Sequence, residues 1–235
     1  MEKKKSAWEK FTNTKVIKTL KEYWGIDDWI ALGIALVGVL YYWKNGPLPY
    51  HPGWHEFYEK IHVELIGIGI TVLILGNANQ AIRTKQEKRR LILQMGSPDN
   101  SFAREAVRQL RARGWLFDGT AKGVDLIVAN LEGADLREAH LEGADLIEAD
   151  LKRANLRFAY LEGALLLGTH MEEANLRFAH LEGADLIEAH LEMADLREVM
   201  YDDKTIWTET KYNKDTQWPE GFDPEAAGCI LVEDE

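Results

Sequence analysis

Hydrophobic positions recur every five residues between residues 124 and 203, without an insertion or a deletion. A leucine stands at the centre of almost every unit, and Met171 and Tyr201 are the substitutes. A small residue, usually alanine, stands two places earlier, and Asp, Asn or His usually fills the place between. A helix repeats its apolar face after about 3.6 residues and a strand after about two, so neither keeps these leucines on one side. The pattern predicts a chain that turns a corner every five residues.

A second, longer repeat of twenty residues is superimposed on the first. The segment Ala154–Ala159 (ANLRFA) recurs twenty residues later at Ala174–Ala179, and Leu141–Ala149 recurs unchanged at Leu181–Ala189. Four sides of five residues would close one coil of that length. Self-similarity of this kind indicates a solenoid, in which each unit buries its apolar side by stacking on its neighbours.

These units closely resemble the pentapeptide-repeat family, whose motif reads A-(D/N)-L-x-x. Sixteen uninterrupted pentapeptides carry the resemblance. It implies a mainly β solenoid, a right-handed quadrilateral β-helix, over residues 120–210. We expect about four to five coils, preceded by an α-helical membrane hairpin and a short capping helix.

Residues twenty places apart should share one face of such a coil, which gives four outward rows. One row is apolar, and we call it the apolar stripe: Ile127, Ile147, Leu167 and Ile187. Another is basic, and we call it the arginine row: Arg137, Arg157, Arg177 and Arg197. An exposed apolar row on a soluble rod marks a contact surface. The two rows are therefore the candidate interaction surface.

The N-terminal part of the chain has a different pattern. Residues 1–25 are rich in lysine and aromatic residues and predict a basic amphipathic segment on a membrane surface. Residues 26–95 contain two apolar stretches, Trp29–Trp43 and Ile61–Ile82, which predict a transmembrane hairpin with a cytoplasmic extension. Glu64, near the start of the second stretch, is a candidate membrane polar site.

The repeats are flanked by two predicted end segments. Residues 96–119 predict a capping helix and linker, with the helix over residues 101–113 beginning after Ser97-Pro98-Asp99-Asn100. A solenoid end exposes unpaired backbone groups and needs such a lid. Residues 211–235 predict a C-terminal cap, rich in aromatic residues and proline, and an acidic tail.

The net charge differs in sign between the N-terminal part of the chain and the rest. The formal net charge of −11 combines +6 for residues 1–120 with −12 for residues 121–203 and −5 for the rest.

The single Cys229 excludes an internal disulfide. The sequence has no nucleophile elbow, no phosphate-binding glycine loop and no paired Cys/His spacing. We therefore predict no enzyme activity, no cofactor and no metal site, and we interpret the histidines of the repeats as solvated positions.

Three functional hypotheses follow. The first is a membrane-anchored scaffold that presents a rigid β-helix for protein–protein interaction or self-association. The second is an acidic mimic of nucleic acid, as in family members that protect gyrase. The third is a small transport-associated membrane subunit with Glu64 facing inward. The predicted partners are an unknown protein or a second copy, together with membrane lipids, while binding of nucleic acid is not expected. The positive-inside rule places both termini and the β-helix in the cytoplasm.

Overall fold

The computed structural model describes the backbone of residues 52–233 and the side chains of residues 73–233. Its elements, in chain order, are α1 (Pro52–Met95), α2 (Asn100–Ala112), β1 (Lys211–Tyr212) and β2 (Ile230–Leu231). The chain divides into two units, residues 1–84 and residues 85–235, which we describe separately.

In the first unit, the described residues 52–84 are helical throughout. The structure does not support the predicted transmembrane hairpin, because no helix among the described residues is both long and apolar enough to cross a membrane. The second predicted span, Ile61–Ile82, lies within α1 and is helical. The first predicted span and the basic segment 1–25 lie outside the described residues.

In the second unit, the repeats form the predicted coil of twenty residues. Parallel bridges join residues one coil apart, such as Asp125 with Asp145 and Asn175 with Asp195. Hydrogen bonds run in both directions between coils: the Leu126 N–H donates to the Asp145 carbonyl at 2.8 Å, and the Asp145 N–H donates to the Val124 carbonyl at 2.9 Å. Each coil is thus hydrogen-bonded to the next over its whole circumference, as in a parallel sheet.

The interior of the coils consists of the central leucines and the small residues. The central residues from Leu126 to Leu196 are fully buried, and so are nearly all of the alanines. Thr169 replaces one alanine, and its hydroxyl donates to the Leu146 carbonyl at 2.8 Å. The hydroxyl is therefore satisfied inside an apolar core, where an unpaired polar group would be costly.

Each corner between two sides is a tight turn. The Ala129 N–H donates to the Leu126 carbonyl at 3.0 Å, and the same bond recurs in the following units. The residue before each alanine lies in the left-handed region, with φ of 66° at Gly143 and 59° at Glu138. Glycine adopts this conformation freely and other residues adopt it at a cost, so the frequent glycines at the fifth position of the repeat follow from the corner geometry.

Before the first coil, α1 ends at Met95 and α2 begins after Asp99, as predicted. The Asp99 carboxylate accepts from the N–H groups of Ser101 and Phe102 and caps the helix. The apolar side of α2, including Val107 and Leu110, is buried in the core of the second unit. It is continuous with the leucines of the repeats.

The backbone groups at the start of the β-helix have partners in this preceding segment. The Asn130 N–H donates to the Ser97 carbonyl at 2.9 Å, and the His140 N–H donates to the Leu116 carbonyl at 2.8 Å. In later coils the equivalent N–H groups donate to the coil before. Asn100 adds a side-chain bond, from Nδ2 to Asn130 Oδ1 at 2.9 Å.

The last coil is longer than the others. Bridges join Asp185 with Ile206, 21 residues on, and Asp195 with Gln217, 22 residues on. The coil that follows Asp203 therefore contains inserted residues. β1 belongs to it and pairs in parallel with β2. A cluster of aromatic rings lies at this end of the unit: Tyr201, Trp207, Tyr212, Trp218 and Phe222.

Candidate interaction surface

The apolar stripe lies on one side of the coils. Ile127 is 40% exposed, and Ile147, Leu167 and Ile187 are half-buried, because each stacks on the residue one coil away. Exposed apolar residues beside them widen the surface: Val128, Leu165 and Ile206. The stripe is thus a continuous apolar surface rather than four isolated side chains, and no described residue covers it fully.

Carboxylates border the apolar stripe. Asp145 Oδ1 accepts from the Ile147 N–H at 3.3 Å, and Asp185 Oδ1 accepts from the Ile187 N–H at 3.1 Å. These bonds hold each carboxylate against the backbone beside the stripe. Glu148 and Glu188 occupy the corner positions that follow. No lysine or arginine stands at the outward positions of this face in residues 125–188, so the face is apolar with an acidic border.

The arginine row lies on the opposite face, because its residues are half a coil, ten positions, away from the stripe. Its two outer members form bidentate ion pairs within their own repeat. Arg137 donates through Nε and Nη2 to Asp135, both at 2.7 Å. Arg197 donates in the same way to Asp195, at 2.9 and 2.8 Å. Bidentate pairs of this kind are charge-assisted and geometrically specific.

These pairs shift the pKa values of the two aspartates. Hydrogen bonds from Arg137 hold the pKa of Asp135 below its ordinary value, and burial opposes them. Hydrogen bonds from Arg197 do the same for the pKa of Asp195. A carboxylate with a lowered pKa is harder to protonate in the folded chain than in the unfolded chain, so pairing stabilises the fold only while the aspartate is ionised.

We therefore expect the effect of Asp195→Asn on stability to depend on pH. Above the ordinary aspartate pKa, the variant should unfold at a lower urea concentration than the wild type. Its free energy of unfolding should be lower by up to about 1 kcal/mol, a small change because the pair is partly exposed. As the pH falls below about 4, the unfolded chain takes up a proton at Asp195 before the folded chain does, so the difference should shrink. Urea unfolding at pH 7, 5 and 3 measures it. A difference that stays constant to pH 3 would contradict this assignment.

The two inner members of the arginine row differ from the outer two. Arg157 and Arg177 follow Asn155 and Asn175, which accept from the arginine backbone N–H but supply no carboxylate. The Arg157 and Arg177 guanidinium groups lie over Phe158 and Phe178, each 5.2 Å from its own ring. The sequence analysis missed this difference. The signal was present in the repeated ANLRFA segments, where Asn and Phe replace the Asp and Glu of the outer units.

The histidines of the repeats form ladders. His170 stacks on His190 with ring centroids 4.6 Å apart, and the Tyr160 ring lies between His140 and His180. Nearby glutamates complete two groups of three possible metal-ligand residues each: His170, Glu172 and His190, and Glu162, His180 and Glu182. Ladders of repeated side chains bring such groups together without an ion, so the absence of a metal site stays a prediction.

Glu64 is not part of either row. Its backbone lies in α1, and its side chain falls outside the side chains that the structure describes. Its proposed role at membrane depth therefore stays a prediction.

Comparison with known families identifies the repeats. The family model for pentapeptide repeats matches residues 129–168 and 166–199, in 8 copies. No curated protein resembles the chain closely enough to count as a match.

Solved structures of repeat proteins are also similar. The pentapeptide repeat protein alr5209 from Nostoc Pcc 7120 is 31% identical, over 55% of this chain and 94% of its own, with a TM-score of 0.29. The pentapeptide repeat protein Rfr23 from the cyanobacterium Cyanothece 51142 is 34% identical, over 35% and 60%, with a TM-score of 0.22. QnrB1, a plasmid-mediated fluoroquinolone resistance protein, is 15% identical, over 49% and 85%, with a TM-score of 0.21.

Proposed function

Because this chain belongs to the pentapeptide-repeat family and its repeats form a right-handed β-helix, we propose that it is a scaffold that binds a partner protein through the apolar stripe. The observation that carries this proposal is the combination of an apolar row with a border in which every charged residue is a carboxylate. Burial of apolar surface would supply the affinity. The acidic border would select the partner and speed its approach.

The border defines the chemistry of that partner. It should present an apolar ridge with lysine or arginine on both sides, matched to Asp145 and Asp185 on one edge and to Glu148 and Glu188 on the other. Amphipathic helices with basic flanks have this pattern, and they bind apolar grooves through side chains on one face. A partner with acidic flanks would be repelled.

We expect crosslinking to locate this surface. A photoreactive side chain at Ile147 should give a specific adduct in native extracts, and the same group at Met193, which is exposed but lies off the stripe, should not. Replacing Asp145 and Asp185 with lysine should suppress the adduct because the border then repels a basic partner. Circular dichroism establishes that each variant is folded. An adduct that forms equally at Met193, or that survives both lysine replacements, argues against the stripe.

We also propose that α2 and the segment around it act as the N-terminal cap of the β-helix. The hydrogen bonds to Ser97 and Leu116 support this role, since they occupy backbone groups that would otherwise form an open sheet edge. Such edges invite pairing with other chains. The cap would keep the rod from extending by stacking at this end.

A mimic of nucleic acid is the alternative, and the acidity of residues 121–203 favours it. The arginine row weighs against it, because a duplex mimic needs acidic charge on the faces that its target reads. Membrane localisation with the β-helix in the cytoplasm, and the absence of enzyme activity, stay predictions from the sequence.

A further inference from the structure

The centre of the arginine row holds an incomplete version of a site that is complete at both ends. We propose that Arg157 and Arg177, with Phe158 and Phe178, bind an acidic segment of a partner protein. Its carboxylates would pair with the two guanidinium groups, as Asp135 and Asp195 pair with theirs in the outer coils. This inference goes beyond the proposed function, because the surface lies on the face opposite the apolar stripe.

The outer coils show which ligand an arginine in this row accepts. In both, a carboxylate meets the Nε and Nη2 edge of the guanidinium with two short bonds. In the inner coils the amide of Asn155 or Asn175 stands in the position of that carboxylate. Because the backbone repeats from coil to coil, the missing element is one negatively charged group for each arginine.

Each inner guanidinium group has one unsatisfied N–H. Among the described side chains, neither Arg157 nor Arg177 forms an ion pair, whereas Arg137 and Arg197 do. The Nε atoms of Arg157 and Arg177 are buried and have no hydrogen-bond partner. A buried N–H group without an acceptor is unfavourable. A carboxylate that draws the guanidinium edge outward would relieve this and neutralise the charge.

The two phenylalanines form the floor of the surface. Their rings stack at 4.9 Å with an interplanar angle of 6°, and Phe158 is 43% exposed. Both residues adopt the left-handed conformation, with φ of 58° and 59°, which is rare for aromatic residues. Rings beside an ion pair exclude water and strengthen the attraction between the charges.

The surroundings favour carboxylates over a nucleic-acid backbone. Glu138 and Glu198 occupy the corner positions in the coils on either side of the two phenylalanines. They limit the cationic surface to two guanidinium groups, and the repeat region carries a net charge of −12. A long polyanion would meet strong repulsion beyond these two groups. A short acidic peptide segment with an apolar residue fits the pair of arginines and the ring floor.

The test uses a fluorescein-labelled hexaglutamate peptide, titrated with the full chain at low salt and followed by fluorescence anisotropy. We expect binding by the wild type that weakens as salt is added. The double variant Asn155→Asp with Asn175→Asp should bind at least about tenfold more weakly, because each new aspartate occupies its arginine as Asp135 does. The double variant Arg157→Gln with Arg177→Gln should lose binding to the same extent.

Matched controls separate this surface from general electrostatics. The double variant Arg137→Gln with Arg197→Gln removes two equal charges from the same row and should change the affinity by only about twofold, because those arginines are already paired. A variant with Ile147 and Ile187 changed to serine should keep full peptide binding. Loss of partner binding at the apolar stripe and loss of peptide binding at the arginine row would thus be measured separately.

Four results would overturn the inference: no binding of hexaglutamate by the wild type, unchanged binding by the aspartate variant, equal losses from the inner and outer arginine variants, or tighter binding of labelled hexathymidylate than of hexaglutamate. Sedimentation of the unliganded chain tests whether a second copy of the chain binds this surface. Self-association that the two aspartates abolish would assign the surface to a second copy of this chain instead.

Discussion

Replacing Leu166 with alanine should lower the free energy of unfolding by about 2–5 kcal/mol, as for other fully buried leucines. Leu166 occupies the central position of its repeat and has no exposed surface. The coils above and below it are joined by backbone hydrogen bonds on every side, so they cannot close over the space that the side chain leaves. Urea unfolding followed by far-ultraviolet circular dichroism measures the change.

Leu165 is the matched control for this experiment. It is the same residue type, one position earlier in the same Leu-Leu-Leu run, but it is 41% exposed on the outside of the coil. Leu165→Ala should cost no more than about 1 kcal/mol, because only part of the side chain is removed from contact with its neighbours. Equal costs for the two variants would show that the register of the repeats is misassigned.

Replacing Trp207 with alanine should cost about 3–5 kcal/mol, which is the range for large buried aromatic residues. Trp207 is 6% exposed and lies among Tyr201, Trp218 and Phe222, with ring centroids between 5.1 and 6.0 Å away. Its removal would leave the last coil without the core of its aromatic cluster. Trp207→Phe keeps an aromatic ring in place and should cost clearly less.

The Trp207→Ala variant should open first in the coils next to Trp207, because each repeat stabilises mainly its neighbours. Hydrogen exchange tests this. The N–H groups of Leu186 and Leu191, which donate to carbonyls of the last coil, should lose protection first. The N–H of Leu146 lies two coils before that of Leu186 and donates to the Leu165 carbonyl, and it should stay protected. A uniform loss across all three positions would mean that the β-helix opens as one cooperative unit.

Most of the fold could be predicted because one rule, a corner every five residues, holds from Val124 to Tyr201. The rule places the leucines inside and assigns every outward row, and bridges between residues twenty apart agree with it. Prediction was weaker for the segment before the repeats, where apolar stretches, aromatic flanks and nearby basic residues predicted a transmembrane hairpin. No helix among the described residues is long and apolar enough to cross a membrane. Such stretches lack a repeat that fixes which residues face which neighbour.

The sequence by itself determined the register of the β-helix, the four outward rows and the position of the helix that precedes them. It did so because each repeat unit contains its own inward leucine and its own corner. The tertiary structure shows the direction in which each guanidinium turns. In the outer repeats it turns back to the aspartate two residues earlier, whereas in the inner repeats it lies over the phenylalanine that follows. The ring one coil away contributes to this direction, since the Arg157 guanidinium also lies 6.0 Å from the Phe178 ring. Among the described side chains, a row of identical arginines therefore becomes two bidentate ion pairs and two cations over aromatic rings.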